Sequence, residues 1–215
     1  MSSDWSRRSV YRARLIRRRR RLLAVLVVLA LGAIGAVVAH GASGAADRVV
    51  YDRSGAAAYA DKWALSANPA QWTSPDHDCA NFVSQCVAAG GLRPFDGPVG
   101  SWRDNGRAFP SVGWVNCAAQ QRVWSVASGA DSPYIVSTTT RLPRRWAVGD
   151  VVYLGNVVDG GTLWQHAIIC VGKRAGQWLY DSHTVAHRHK TLATWYPAHF
   201  SLIRYCRIAD SVAYR

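Results

Sequence analysis

Cys79 directly follows Asp78 at the head of the stretch DCANFVSQCVAA (78–89), in which Phe82, Val83, Cys86 and Val87 make one apolar helical face. A cysteine in the first turn of a helix meets free backbone N–H groups and the positive end of the macrodipole, and both favour a thiolate. The same N–H groups suit a developing oxyanion. Asp78 opposes this, because its charge raises the cost of a neighbouring anion. His166 opens the apolar run His166–Cys170 on an expected strand and is the candidate general base. Asp181 and His183 lie two apart on the next expected strand, so they share a face, and either suits the role of orienting the imidazole. Nucleophile, base and orienter in this scattered order is how cysteine hydrolases present themselves in sequence. Each residue also has a bland role: a cysteine as a small buried hydrophobe, a strand histidine as part of the packing.

Other residues narrow the chemistry. The 13 acids are all Asp, and the absence of Glu excludes H-E-x-x-H zinc peptidases. His183, His187 and His189 invite a zinc site, but no matching Cys or carboxylate spacing surrounds them, so a solvated strand-end cluster is expected and no metal or organic cofactor. Five cysteines suit one free nucleophile plus four others. Cys79 and Cys86 lie about 10 Å apart along one helix, too far for a bridge. Buried free thiols are expected for the rest, with Cys86–Cys170 and Cys117–Cys206 as the alternative pairing.

The elements that must hold these residues read as helices followed by strands. Asp78 is the expected N-cap of the Cys79 helix, and Gly90 and Gly91 end it. An earlier Ala-rich helix spans 53–65, with Tyr59 and Trp63 one turn apart. Residues 92–145 give no clear pattern beyond a helix within 114–127. Strands are expected at 150–154, 164–171, 177–182 and 200–208, spaced as an antiparallel meander. Helices first and strands afterwards point to an α+β domain with segregated layers.

The net charge of +13 would suggest nucleic acid, but nine of the 26 basic residues are arginines within residues 1–21. The remainder is only mildly basic, so no nucleic-acid partner is expected. Leu22–Ala39 has no charged side chain and would reach roughly 27 Å as a helix, close to the hydrocarbon thickness of a bilayer. With arginines on its N-terminal side it is expected to place the N-terminus in the cytoplasm and the rest outside. It would do so as a single-pass anchor, or as a signal segment cleaved near Ala45. The organisation expected is a basic tail (1–21), an anchor or signal (22–42), a linker (43–49), one domain (50–208) and a tail (209–215).

Several blocks follow the order and spacing of a known family: Tyr51 to Arg53, Tyr59 to Trp63, Asn68-Pro69, DCANFVSQ (78–85), SVGWVN (111–116), GDVVY (149–153), HAII (166–169), and His183-Thr184 with Arg188 and Leu192. Across roughly 50–205 the chain resembles the bacterial putative amidase domain family. The resemblance implies a papain-like fold related to the CHAP-type cell-wall amidases: N-terminal helices packed on a small antiparallel sheet, here preceded by one N-terminal hydrophobic helix. It also implies Cys79 as nucleophile and His166 as base, with His183 slightly favoured over Asp181 as orienter. Asn81 and Gln85 are motif positions with an expected packing or loop-bonding role. The expected activity is extracytoplasmic, cysteine-dependent hydrolysis of amide bonds, in cell-wall peptides first, by a monomer. A binding module without turnover, or an acyl transferase, is the alternative.

Overall fold

The computed structural model describes residues 47–74, 76–126 and 134–214. Among them ten strands and four α-helices follow in order: β1 (Asp47–Val50), α1 (Arg53–Trp63), α2 (Cys79–Ala89), β2 (Phe95–Gly97), β3 (Gly100–Trp102), α3 (Val112–Val115), α4 (Cys117–Ser125), β4 (Ile135–Thr139), β5 (Val151–Val158), β6 (Gly161–Arg174), β7 (Gln177–Ser182), β8 (His187–Thr191), β9 (Leu202–Ile208) and β10 (Ser211–Tyr214). Six strands form one antiparallel sheet in the order β4-β9-β5-β6-β7-β8, and β1–β10 and β2–β3 are separate two-stranded pairs.

Strand alternation sorts the sheet into two faces. Val151, Tyr153, Ala167, Ile169, Cys206 and Ile208 pack with Phe82, Val83, Cys86 and Val87 of α2 in the larger core. Val152, Leu154, Ile168, Cys170, Ile203 and Tyr205 form a second core under Trp146 and Trp195. Ala56 and Ala60 of α1 are fully buried, small enough for α1 to lie close against its neighbours.

The fold-class expectation is corrected here. The protein is mostly sheet, with six strands rather than a small sheet and with few, short helices, so an α+β papain-like arrangement of helices followed by strands does not describe it. Residues 92–145, without pattern in sequence, supply β2, β3 and the edge strand β4 between the helices and the main sheet. β5 to β8 form a meander, but β9 returns to the opposite side and inserts between β4 and β5. The expected helix within 114–127 is two pieces broken at Asn116, whose side chain accepts the Ala119 N–H at 3.0 Å and starts α4.

The expected N-terminal hydrophobic helix at Leu22–Ala39 lies outside the described residues. Among the described residues no helix is long and apolar enough to cross a membrane; the longest have 11 residues, against about 20 for a span. The expectation of a single-pass membrane protein is corrected on that finding, and nothing among the described residues supports the secreted alternative.

Candidate active site

The motif blocks first build the frame around α2. Tyr51 donates from its hydroxyl to the Gly149 carbonyl at 2.9 Å, and Gly149 has a φ of +83°, where a Cβ would lie 2.9 Å from that same oxygen. Arg53 donates to Asp150 Oδ1 at 2.7 Å, to Asp210 Oδ1 at 2.8 Å and to the Ile208 carbonyl at 2.7 Å, which ties α1 to the start of β5 and the end of β9. Asn68 donates to the Tyr59 hydroxyl and Tyr59 to Gln85 Oε1, both at 2.8 Å. Asn81 donates to the Trp72 carbonyl and to Asp78 Oδ1, and accepts from Trp114 Nε1 at 2.8 Å. Asn81 and Gln85 therefore do the loop-bonding work expected of them.

Cys79 is the first residue of α2, and Cys117 is the first residue of α4. Two helix N-termini thus meet at two sulfur atoms 3.8 Å apart, both buried. Both macrodipoles favour negative charge there. The Cys79 sulfur has one acceptor in reach, the Gln165 carbonyl at 3.7 Å, which suits the neutral thiol. Against it stand several groups that suit the anion. Hydrogen bonding from the Cys117 thiol holds the Cys79 thiol well below the usual range, and the hydrogen bond and charge of His166 and the Ala167 N–H add to it, while burial opposes them. Cys117 is pushed the other way, first by its bond to Cys79 and then by burial and by the Cys79 charge. Donors outnumber the acceptor at Cys79, which favours the negative charge on Cys79 and the proton on Cys117. Cys86, Cys170 and Cys206 are buried with thiols raised by desolvation. All five cysteines are free. Cys86 lies between α2 and the sheet and Cys170 on the opposite sheet face, which rules out the Cys86–Cys170 alternative, and Cys117 turns to Cys79 instead of Cys206.

His166 follows a bulge in β6, where Leu154 faces His166 but Gly155 faces Trp164. Its ring stacks on Phe200 (centroids 5.8 Å apart, planes 3° apart) and leans on Trp195 at 6.0 Å. These aromatic walls fix the ring plane. Its Nε2 is buried with no hydrogen-bond partner among the described residues. A cleft of about 750 Å³ opens onto Cys79, Cys117 and His166, walled by Trp164, Trp195 and Phe200.

Neither expected orienter bonds to His166. His183 Nδ1 lies 2.6 Å from Asp78 Oδ2, its Nε2 lies 2.7 Å from the Trp63 carbonyl, and its ring stacks 4.0 Å from Phe82. Asp78 consequently does not cap α2; its other oxygen accepts from Asn81 and from the Ser74 N–H. The cap comes from Thr184, whose hydroxyl accepts the N–H groups of Asp78 and Cys79 at 3.0 and 3.1 Å. Thr184 holds a φ of +81°, strained for a β-branched residue. Asp181 is fully buried under α2; one oxygen accepts the His189 N–H at 2.6 Å and the other has no partner among the described residues. Burial raises its carboxyl.

The three histidines diverge. His183 pairs with Asp78, His187 leans on Trp195 at the cleft, and His189 pairs with Asp61 at 2.7 Å. Asp61, Asp181 and His189 do bring donor atoms within 4.8 Å of one another, but the Arg188 guanidinium grips both Asp61 oxygens at 2.8 Å and already supplies a cation. Sequence reasoning missed Cys117, Thr184 and the aromatic pair beside His166. Only the odd cysteine count and the quoted Thr184 pointed at any of them.

The profile of the family described as "Putative amidase domain" matches residues 50–203, and the chain belongs to that family. It is similar to an uncharacterized protein of Bacillus subtilis (strain 168), YhbB, with 27% identity over 169 residues, covering 76% of this chain and 47% of the relative. The chain thus spans about half the length of that relative. No solved structure matches it.

Proposed function

We propose that this amidase-family domain hydrolyses amide bonds through Cys79, with His166 as the proton carrier. The observation that carries this reading is the meeting of Cys79 and His166 in one aromatic-walled cleft, with hydrogen-bond donors gathered on the Cys79 sulfur. The thiolate attacks the amide carbonyl carbon, and the N-termini of α2 and α4 favour the negative charge that gathers beside them. Collapse of the tetrahedral intermediate breaks the C–N bond, and His166 gives its proton to the departing amine. The neutral imidazole of His166 then takes a proton from water, whose oxygen attacks the thioester, releases a carboxylic acid and restores Cys79. Stacking on Phe200, rather than a hydrogen bond from Asp181 or His183, keeps the imidazole in place. The Asp78–His183 pair and Thr184 serve the same step at one remove, by fixing the helix end on which Cys79 sits.

Peptide stems of the bacterial cell wall are the first substrates to try, with unrelated peptide amides beside them. Mass spectrometry of the products reads the reaction: hydrolysis leaves new carboxyl termini, and an acyl transfer leaves amine-capped ones. Cys79→Ser, nearly isosteric, keeps the fold and loses turnover. Full cleavage by Cys79→Ser of a substrate that the unmodified protein cleaves overturns the cysteine mechanism.

A further inference from the structure

A second groove, of about 580 Å³, lies beside the cleft, and Asn116 and Trp164 line both. A substrate chain lying over Cys79 and running past Trp164 enters it. Its described lining residues include two cations, Arg122 and Arg204, and no carboxylate. Small side chains, Ala118 and Ala119, leave room between them, and Ser125 and Thr138 add hydroxyls.

The two arginines, like several others on the surface, are not neutralised by a carboxylate among the described residues. Arg53, Arg93, Arg103, Arg188 and Arg207 each pair with an aspartate. Arg122 and Arg204 have no ion-pair partner among the described residues. Arg204 is held by neutral contacts instead: its guanidinium lies 4.5 Å over the Trp164 ring, and NH1 donates to Gln121 Oε1 at 2.9 Å. Gln121 is itself buried, and its amide donates to the Cys117 carbonyl at 3.1 Å. The guanidinium is therefore fixed by a stack and one hydrogen bond, which leaves most of its five N–H groups unspent. A planar, pre-positioned guanidinium with free donors matches a carboxylate in two parallel hydrogen bonds.

We infer that the groove of Arg122 and Arg204 is a subsite for a carboxylate carried by the amide substrate at a distance from the scissile bond. The assignment rests on the amidase reading of the neighbouring cleft and deepens it to a substrate class, acidic peptides. Trp164 serves both parts: one side bounds the cleft, and its ring carries Arg204. Removing Arg204 therefore costs selection for the acidic group rather than the chemistry at Cys79.

Matched synthetic peptides with Asp or Glu against Asn or Gln at positions flanking the scissile amide test this. The full chain should prefer the acidic member of a pair by roughly tenfold or more in kcat/KM, through KM, as expected for charge-assisted hydrogen bonds. Added salt should erode the preference. Arg204→Gln and the exposed Arg122→Gln should each bring the ratio of acidic to neutral cleavage toward one, with Arg204→Lys intermediate because it keeps charge without the fork. Equal cleavage of both members by the unmodified protein overturns the subsite, and so does an unchanged ratio in both variants. Calorimetric binding of the same peptides to Cys79→Ser separates the two readings. Acidic preference in binding without turnover leaves the subsite standing and sinks the amidase reading; turnover without acidic preference does the reverse.

Discussion

Replacing Cys117 by alanine isolates the contact that most distinguishes this cleft. On the proposed mechanism Cys117 keeps its proton and donates toward the Cys79 sulfur across 3.8 Å, between two buried side chains. A hydrogen bond to a charged group contributes about 1.5–3 kcal/mol, and the weak S–H donor at this distance belongs at the lower end. About 1.4 kcal/mol corresponds to a tenfold change in an equilibrium, so Cys117→Ala should lower the thiolate fraction of Cys79 about tenfold wherever it is not fully ionised. The assay is the rate of iodoacetamide labelling at Cys79 against pH, located by peptide mapping. In the unmodified protein Cys79 should label first, well below the pH at which ordinary cysteines react, and Cys117 should resist. The sign follows from the ionisation: the Ala variant lags most on the acid limb and catches up where Cys79 is thiolate in both proteins. Cys117→Ser keeps an O–H donor of similar size and should recover most of the rate. His166→Ala should slow labelling as well, since the imidazole is the next donor. If Cys117→Ala labels as fast as the unmodified protein along the whole acid limb, the S–H contact contributes nothing and the reading of the pair is wrong.

Two further predictions concern the frame. Arg53→Ala removes five hydrogen bonds and leaves the fully buried Asp150 carboxylate with only the Ala147 and Ile208 N–H groups, so urea unfolding near neutral pH should show a loss of about 3–5 kcal/mol. Burial already raises the Asp150 carboxyl against the pull of Arg53, so without Arg53 it takes a proton more readily and the deficit should shrink as pH falls; a loss under about 1 kcal/mol would count against the buried pair. Asp181→Asn should keep amide cleavage, because Asp181 does not touch His166, and a large fall in kcat would restore it as orienter. A raised carboxyl binds its proton more tightly in the folded state, so Asp181 costs stability as pH rises from the ordinary carboxyl range through its folded value, and the Asn variant should be at least as stable at neutral pH with the gap closing in acid.

How far the sequence could be read depended on whether the determining signal was local. The Cys79 helix was legible because Phe82, Val83, Cys86 and Val87 repeat at helical spacing, and β5 to β7 because apolar runs alternate with turn residues. β8 reads HRHKT, an edge strand with no apolar face, so periodicity could not reveal it, and without it the sheet looked small. The expectation that Asp181 and His183 share one strand face is not met, for a related reason. Residues two apart share a face only while the strand lasts; β7 ends at Ser182, so Asp181 stays under α2 while His183 turns toward Asp78 and Trp63. That turn also forces Thr184 to a positive φ and delivers its hydroxyl to the Cys79 N–H. Asp78, the residue best suited by type to cap the helix, is thereby free to bind His183. The exchange has a chemical consequence for the site. A carboxylate capping α2 would set its negative charge on the N–H groups beside the Cys79 sulfur, whereas a neutral threonine hydroxyl fills them without opposing a thiolate. The strain at Thr184 and the displaced aspartate are then one arrangement, which keeps the helix end closed while leaving the positive end of its dipole to Cys79.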